Sequence, residues 1–289
     1  MRTGRLQPWF YVGPALLLLG FFLVYPSLDT VRISFYDKSA ESFIGIDNYV
    51  RFFADRNTLT AFRNNALWVV LFTGFTVSFG LALAVLLDRV RYERIIKSIV
   101  FIPMAISMVG AATIWKFVYA FRPTGEAQIG VLNAIVTFLG GSSTGWLVER
   151  PWINNICLIV VGIWMWTGFC MVVLSAAYKN IPKELMEAAR MDGANEWQVF
   201  RKVILPLLRP TMAVVGTTMI VFVLKIFDIV YVMTNGNFST EVIANRMYKE
   251  MFSFMNFGRA STIAVILLLL IIPVMLFNIR RFREQEVIR

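Results

Sequence analysis

Along this chain, long apolar runs alternate with polar stretches, and one polar stretch is far longer than a connection between neighbouring helices requires. Crossing the hydrocarbon core of a bilayer as a helix takes about 20 apolar residues. Runs of that kind occur at 10–31, 66–87, 99–121, 156–177, 203–223 and 263–279. The third contains Pro103 and Lys116, and the fifth opens with Pro206 and Pro210. Segments of alternating hydrophobicity, the mark of a membrane barrel, are not seen in the sequence. The pattern predicts an all-α integral membrane protein with six transmembrane helices, residues 1–289 forming one membrane domain.

The long polar stretch lies between the fourth and fifth runs and reads IPKELMEAARMDGANEWQVFRKVILPLLRP from Ile181 to Pro210. Charges at Lys183, Glu184, Glu187, Arg190, Asp192, Glu196, Arg201 and Lys202 keep it out of lipid. Pro182 suits the start of a helix, where its missing N–H costs nothing. ELMEAARM follows, rich in helix formers, with Leu185, Met186, Ala189 and Met191 available as an apolar edge. Gly193 can take a positive φ and stop that helix. Asn195 can cap a second, NEWQVFRKVI. The reading is two short helices around a glycine bend, lying across one membrane surface. Physics alone leaves two roles open: a lipid-surface anchor, or a rigid element gripped by another protein.

Composition agrees with the membrane reading, at 58% apolar and 16% charged residues. The net charge of +10 follows topology rather than nucleic-acid binding. Arg2, Arg5, Arg89, Arg91, Arg94, Lys97, the 179–209 segment and Arg280, Arg281, Arg283 and Arg289 all fall on one side if both termini are cytoplasmic. The apolar run at 10–31 lacks a small-residue cleavage site and reads as a retained first span. Histidine is absent, so no His-based metal site or proton relay is available. Cys157 and Cys170 share a predicted helix roughly 20 Å apart, too far to bridge, and read as small packing or lipid-facing residues. Of the outer loops, the first predicts short amphipathic helices, the second carries the turn-rich LGGSSTG, and the third begins with the strong turn signal Asn235-Gly236.

The polar segment resembles the "EAA" signature of binding-protein-dependent ABC importer permeases: Glu-Ala-Ala, three residues, Gly, nine residues, then Ile-x-Leu-Pro. Here Glu187-Ala188-Ala189, Gly193, Val203 and Leu205-Pro206 fit every spacing, with Val203 in place of Ile. Asp192-Gly193-Ala194 is similar to the carbohydrate-importing branch of maltose and α-glucoside permeases. So are YPSL at Tyr25, GIDNYVRFF at Gly45, FIP at Phe101, IFDIVYVMT at Ile226 and NFGRAS at Asn256. The resemblance runs over nearly the whole chain. One departure is the missing Gly-Gly-Pro turn near Gly236, Asn237 and Phe238.

The resemblance implies a coupling segment at 181–206 that docks in a cleft of an ATP-hydrolysing subunit. Glu187 would make the charged contact, Ala188 and Ala189 would permit close packing, and Gly193 would form the bend. Asp192, Ala194, Leu205 and Pro206 complete the coupling set. No G-x-x-x-x-G-K-[ST] phosphate loop occurs in the chain. The implied arrangement is therefore a non-enzymatic permease with no cofactor of its own and no catalytic or metal site, ATP and Mg²⁺ being held by a partner ATPase dimer. A second homologous permease, an extracytoplasmic solute-binding protein, a sugar and membrane lipid are the other implied partners, and nucleic acid is not among them. The implied location is the bacterial inner membrane, spanned several times.

Two groups read as solute-pathway candidates. Lys225, Asp228 and Tyr231 are spaced three apart and would share a helical face, as pathway lining or as an interfacial ion pair. Trp164, Trp166 and Phe169 offer aromatic faces on which the CH faces of sugar rings can stack, although tryptophan also populates interfacial belts. Lys116 reads as snorkelling to the outer surface. The implied cargo is an α-glucoside such as trehalose, maltose or sucrose. An ion-gradient transporter, or an ABC permease for another solute such as glycerol phosphate, is the alternative.

Overall fold

The computed structural model describes residues 7–88, 90–123, 125–148 and 152–287. Both chain ends and the inner basic residues Arg2, Arg5, Arg89 and Arg289 lie outside the described residues. Helix dominates them, with only an isolated bridge between Tyr36 and Phe43. In chain order the helices are α1 (Phe10–Ile33), α2 (Asp47–Ala54), α3 (Arg56–Leu87), α4 (Glu93–Ala105), α5 (Met108–Val118), α6 (Val131–Phe138), α7 (Ile153–Lys179), α8 (Lys183–Met191), α9 (Glu196–Leu224), α10 (Asp228–Met233), α11 (Ile243–Tyr248) and α12 (Phe257–Val287). Helices α1, α3, α7 and α9, together with Phe257–Ile279 of α12, are long and apolar enough to cross a membrane.

The span expected at 99–121 is broken. Helices α4 and α5 meet at 99°. Pro103 has no N–H to give the carbonyl of Ile99, which Ile102 takes instead, and the chain tightens into a 3₁₀ turn over Ile102–Ala105. Ile106 is then extended, and the Ser107 hydroxyl accepts the Gly110 N–H at 3.1 Å to start α5 afresh. A proline can also be absorbed without a break. Widened π turns at Gly20–Val24 and Phe200–Ile204 end two residues before Pro26 and Pro206, and they keep α1 and α9 continuous. The predicted second surface helix is thereby the first part of α9 rather than a separate element.

The chain forms two compact units. The first comprises Met1–Leu59 with Arg246–Leu269. Helix α2 is amphipathic, as the sequence predicts for this loop, burying Asn48 and Phe52 while Val50 and Phe53 stay exposed. The Asn48 side chain donates to the carbonyls of Ser34 at 3.1 Å and Tyr36 at 2.7 Å. Arg246 pairs with Asp55 at 3.1 Å and Glu250 at 2.8 Å. None of the apolar window of α1 is buried.

The second unit comprises Thr60–Asn245 with Leu270–Arg289. Its core runs from Trp68 and Phe72 on α3 through Leu158, Val161 and Leu174 on α7 to Leu208 and Met219 on α9. Cys157 and Cys170 are buried packing residues. Gly168 lets α7 lie directly against the backbone of α4, since a Cβ there would strike the Val100 carbonyl and the Phe101 Cα.

Candidate coupling segment and solute pathway

Helix α8 ends as its sequence dictates. Gly193 takes φ +83°, a left-handed value that glycine reaches without a Cβ clash. The Gly193 N–H returns to the Arg190 carbonyl and the Ala194 N–H to the Ala189 carbonyl, both at 3.0 Å. These are the two bonds of a Schellman stop. Asn195 then starts α9 with a full capping box: its side chain accepts the Gln198 N–H, and the Gln198 side chain accepts the Asn195 N–H, both at 2.9 Å. Arg190 bridges the corner to Glu196 at 2.8 Å, and that carboxylate raises the guanidinium above its usual pKa range. At the start of α8, Met186 is buried and receives the Tyr178 hydroxyl at 3.9 Å. The corner between α8 and α9 is thus fixed at both ends.

Six of the eight predicted coupling residues gather at this corner. Glu187, Ala188, Asp192 and Gly193 are exposed, while Ala189 and Ala194 pack against the core. Leu205 and Pro206 stand further along α9, half-buried, just past the widened turn. The predicted apolar edge divides. Met186 and Ala189 face inward, but Leu185 and Met191 point outward because only the Met186 side of α8 rests on the core. Met191 is 88% and Trp197 65% exposed, and sequence reasoning had not marked Trp197 as a surface residue.

The expected polar stripe of Lys225, Asp228 and Tyr231 does not form. Helix α9 ends at Leu224, Lys225 caps it, and Asp228 opens the new helix α10, where an acid favours the first turn. With the helix interrupted between them, Lys225 and Asp228 share no face, and Lys225 is exposed. Tyr231 stacks on Phe227 at 5.0 Å. Trp164, Trp166 and Phe169 are half-buried on α7 but join different neighbours. Trp166 meets Phe169 at 5.9 Å and Phe222 at 4.2 Å. Phe222 continues to Phe72 at 5.8 Å, and Phe72 to Trp68 at 6.2 Å. Trp164 instead meets Trp115 at 5.7 Å. Lys116 is exposed, as expected of a snorkelling residue, and donates to the Val232 carbonyl at 3.3 Å.

Two constellations were missed. At one end of α7, side-chain amides clamp the segment after α10: Asn154 holds the Phe238 carbonyl at 2.6 Å, and Asn64 holds those of Ser239 at 2.7 Å and Glu241 at 2.8 Å. Asn155 adds a bond to Ser239 at 3.3 Å. The available signal was the pair of Asn-Asn dipeptides, Asn64-Asn65 and Asn154-Asn155, at the apolar helices. At the other end, Glu93 receives Lys97 at 2.5 Å and Lys179 at 2.6 Å, and Lys97 also reaches the buried Ser175 hydroxyl. The Asn235-Gly236 signal holds: both residues have positive φ, and the Asn237 N–H closes the turn on the Thr234 carbonyl at 3.0 Å.

Comparison with known proteins agrees with this architecture. The osmoprotective compounds uptake permease protein GgtC of Synechocystis sp. is 62% identical over 279 residues, covering 96% of this chain and 100% of that one. The alpha-glucoside transport system permease protein AglF of Rhizobium meliloti is 46% identical, covering 98% and 84%. The crystal structure of a bacterial ABC transporter involved in import of the acidic polysaccharide alginate matches with a TM-score of 0.83 at 22% identity, covering 96% and 97%, a likeness of fold alone. The family model described as binding-protein-dependent transport system inner membrane component matches residues 76–285. Its extent and these identities place the chain in that family, the membrane-embedded permeases of ABC importers.

Proposed function

We propose that this chain is one permease subunit of an ATP-driven importer for an α-glucoside of the trehalose, maltose or sucrose type. The observation that carries the reading is the fixed corner at Gly193. It presents Glu187, Asp192 and two large exposed apolar side chains, Met191 and Trp197, on a backbone locked by a Schellman stop, a capping box and the Arg190–Glu196 pair. A surface that is at once rigid, charged and apolar suits a protein partner better than solvent. The partner is an ATPase subunit on the cytoplasmic side, holding ATP and Mg²⁺ in a dimer. A second permease completes the pathway, and an external solute-binding protein delivers the sugar. The name of the Rhizobium meliloti relative, an alpha-glucoside permease, supports the solute class.

In this mechanism closure of the ATPase pair moves the α8–α9 corner. Helix α9 carries the displacement into the bilayer, and the spans reorient between inward- and outward-facing states. ATP and the loaded receptor each shift that balance only by binding one state better than the other. The test is ATP-driven uptake of labelled trehalose, maltose and sucrose by the reconstituted complex. Glu187→Lys and the double variant Met191→Asp/Trp197→Asp are expected to abolish uptake and release the ATPase. Uptake and ATPase retention at the wild-type level in both would end the coupling assignment.

A further inference from the structure

We propose that the pocket beside Phe238 is a docking subsite for one hexopyranosyl ring of the transported glycoside, an inference that rests on the sugar-import reading above. The pocket encloses about 350 Å³ and is lined by Lys116, Tyr119, Phe121, Trp146 and Phe238 among others. That volume lies at the small end for ligand sites and suits a single ring. The wall carries four aromatic rings and one cation, and no carboxylate is among the described residues that line it.

Two of the aromatic groups, Trp146 and Tyr119, are fixed by their polar tips. The Trp146 indole N–H donates to Asn133 Oδ1 at 3.0 Å, and Asn133 is itself bound to the Ala120 and Thr144 carbonyls at 3.0 Å. The Tyr119 hydroxyl donates to the Cys157 carbonyl at 3.2 Å. Tyr119 is buried and backs the wall, so the half-buried Trp146 ring and the exposed Phe238 ring supply the apolar platform on which the CH side of a pyranose stacks. Lys116 uses one N–H on Val232, and its ammonium has further donors for ring hydroxyls.

Phe238 is held at this wall against its own backbone preference. Asn235, Phe238 and Ser239 all have positive φ, at 50°, 55° and 62°. Such conformations persist only where the surroundings over-determine them, and they cluster at ligand-contacting segments. Here the Asn64, Asn154 and Asn155 amides supply the constraint, while the Phe238 ring remains 51% exposed. Behind the pocket wall the aromatic packing continues. Tyr119 meets Trp115 at 5.3 Å, and Trp115 meets Trp164, a predicted pathway residue, at 5.7 Å.

The experiment uses the complete transporter in lipid nanodiscs without its solute-binding protein, and methyl α-D-glucopyranoside as the probe. Saturation-transfer NMR reads contact with the ring CH protons. Phe238→Ala and Lys116→Gln are each expected to weaken probe binding roughly fivefold, and to raise the sugar concentration needed for half-maximal uptake, in complexes that remain assembled on gel filtration. Wild-type uptake of trehalose, maltose or sucrose, with probe binding absent or unchanged in both variants, would overturn the subsite and leave the import reading standing. Quenching of Trp146 emission by a brominated lipid chain, with no response to the glucoside, would overturn it in favour of lipid. No uptake of any of the three sugars by the wild-type complex would overturn the import reading and the subsite together.

Discussion

The Glu93 carboxylate lies 2.6 Å from the Lys179 ammonium, joining the start of α4 to the end of α7 just ahead of α8. Glu93 is 19% exposed and Lys179 52%, so the pair is partly screened and its direct contribution is about 1 kcal/mol or less. Its place is of more consequence than its strength. Helix α4 is one half of the broken span, set at 99° to α5, and Lys179 leads into the α8–α9 corner. Glu93→Gln is expected to slow ATP-driven uptake severalfold while the complex stays assembled. The exchange Glu93→Lys with Lys179→Glu is expected to recover part of the loss, although Lys97 then faces a like charge. Uptake rates of the single and double variants check this.

At the corner itself, the backbone of Gly193 is restrictive although the space around it is open. No heavy atom lies within 4 Å of where its Cβ would be, so a substitution there is limited by φ +83° alone. Gly193→Ala is expected to cost about 1 kcal/mol. Gly193→Asn, which tolerates the left-handed region, should cost less, whereas a β-branched Gly193→Val should cost more. Thermal unfolding of the purified complex orders the three.

Gly168 presents the opposite case. Its φ is ordinary, but the backbone of α4 occupies the place of a side chain. The obstructing atoms belong to Val100 and Phe101 main chain and cannot rotate away. Gly168→Ala is therefore expected to destabilise by about 1–3 kcal/mol, measured as a fall in the melting temperature of the permease. A change of α4 position, read by a cysteine crosslink between α4 and α7, should accompany it.

The amide clamp is expected to fail locally rather than globally. Asn64→Ala removes the amide donor to the carbonyls of Ser239 and Glu241, of which Ser239 keeps the 3.3 Å bond from Asn155, at a cost of about 1–3 kcal/mol. Hydrogen exchange in the 234–242 segment should quicken at least tenfold, while exchange in the middle of α7 stays slow. Equal protection of that segment in wild type and variant would show that the amide does not hold it.

The apolar spans could be read from the sequence because a run of about 20 such residues has few other uses. The helix stop at Gly193 and the cap at Asn195 were legible because both are local. The break after Ala105 had its signal in Pro103, yet Pro26 and Pro206 carry the same signal and sit in continuous helices. Which outcome occurs depends on whether the preceding turn widens or tightens, and tertiary packing decides that. The end of α9 at Leu224 has no Gly or Pro to mark it, and the supposed Lys225–Asp228 face failed for that reason. The clamp joins Asn64 to residues 175 and 177 positions away, and Asn154 to one 84 positions away, beyond any local pattern. In α8, periodicity offered Leu185, Met186, Ala189 and Met191 alike, and only the neighbouring core separates them.

The widened turn at Phe200–Ile204 sits between the clamped corner and the bilayer portion of α9. Its ladder is stretched, since the Leu205 N–H bonds to the Phe200 carbonyl, and Pro206 beyond it donates nothing. Flexing the rod is therefore cheapest just below the corner. A displacement of the corner is expected to reach the embedded length as a swivel about Pro206, tilting it without unravelling the helix.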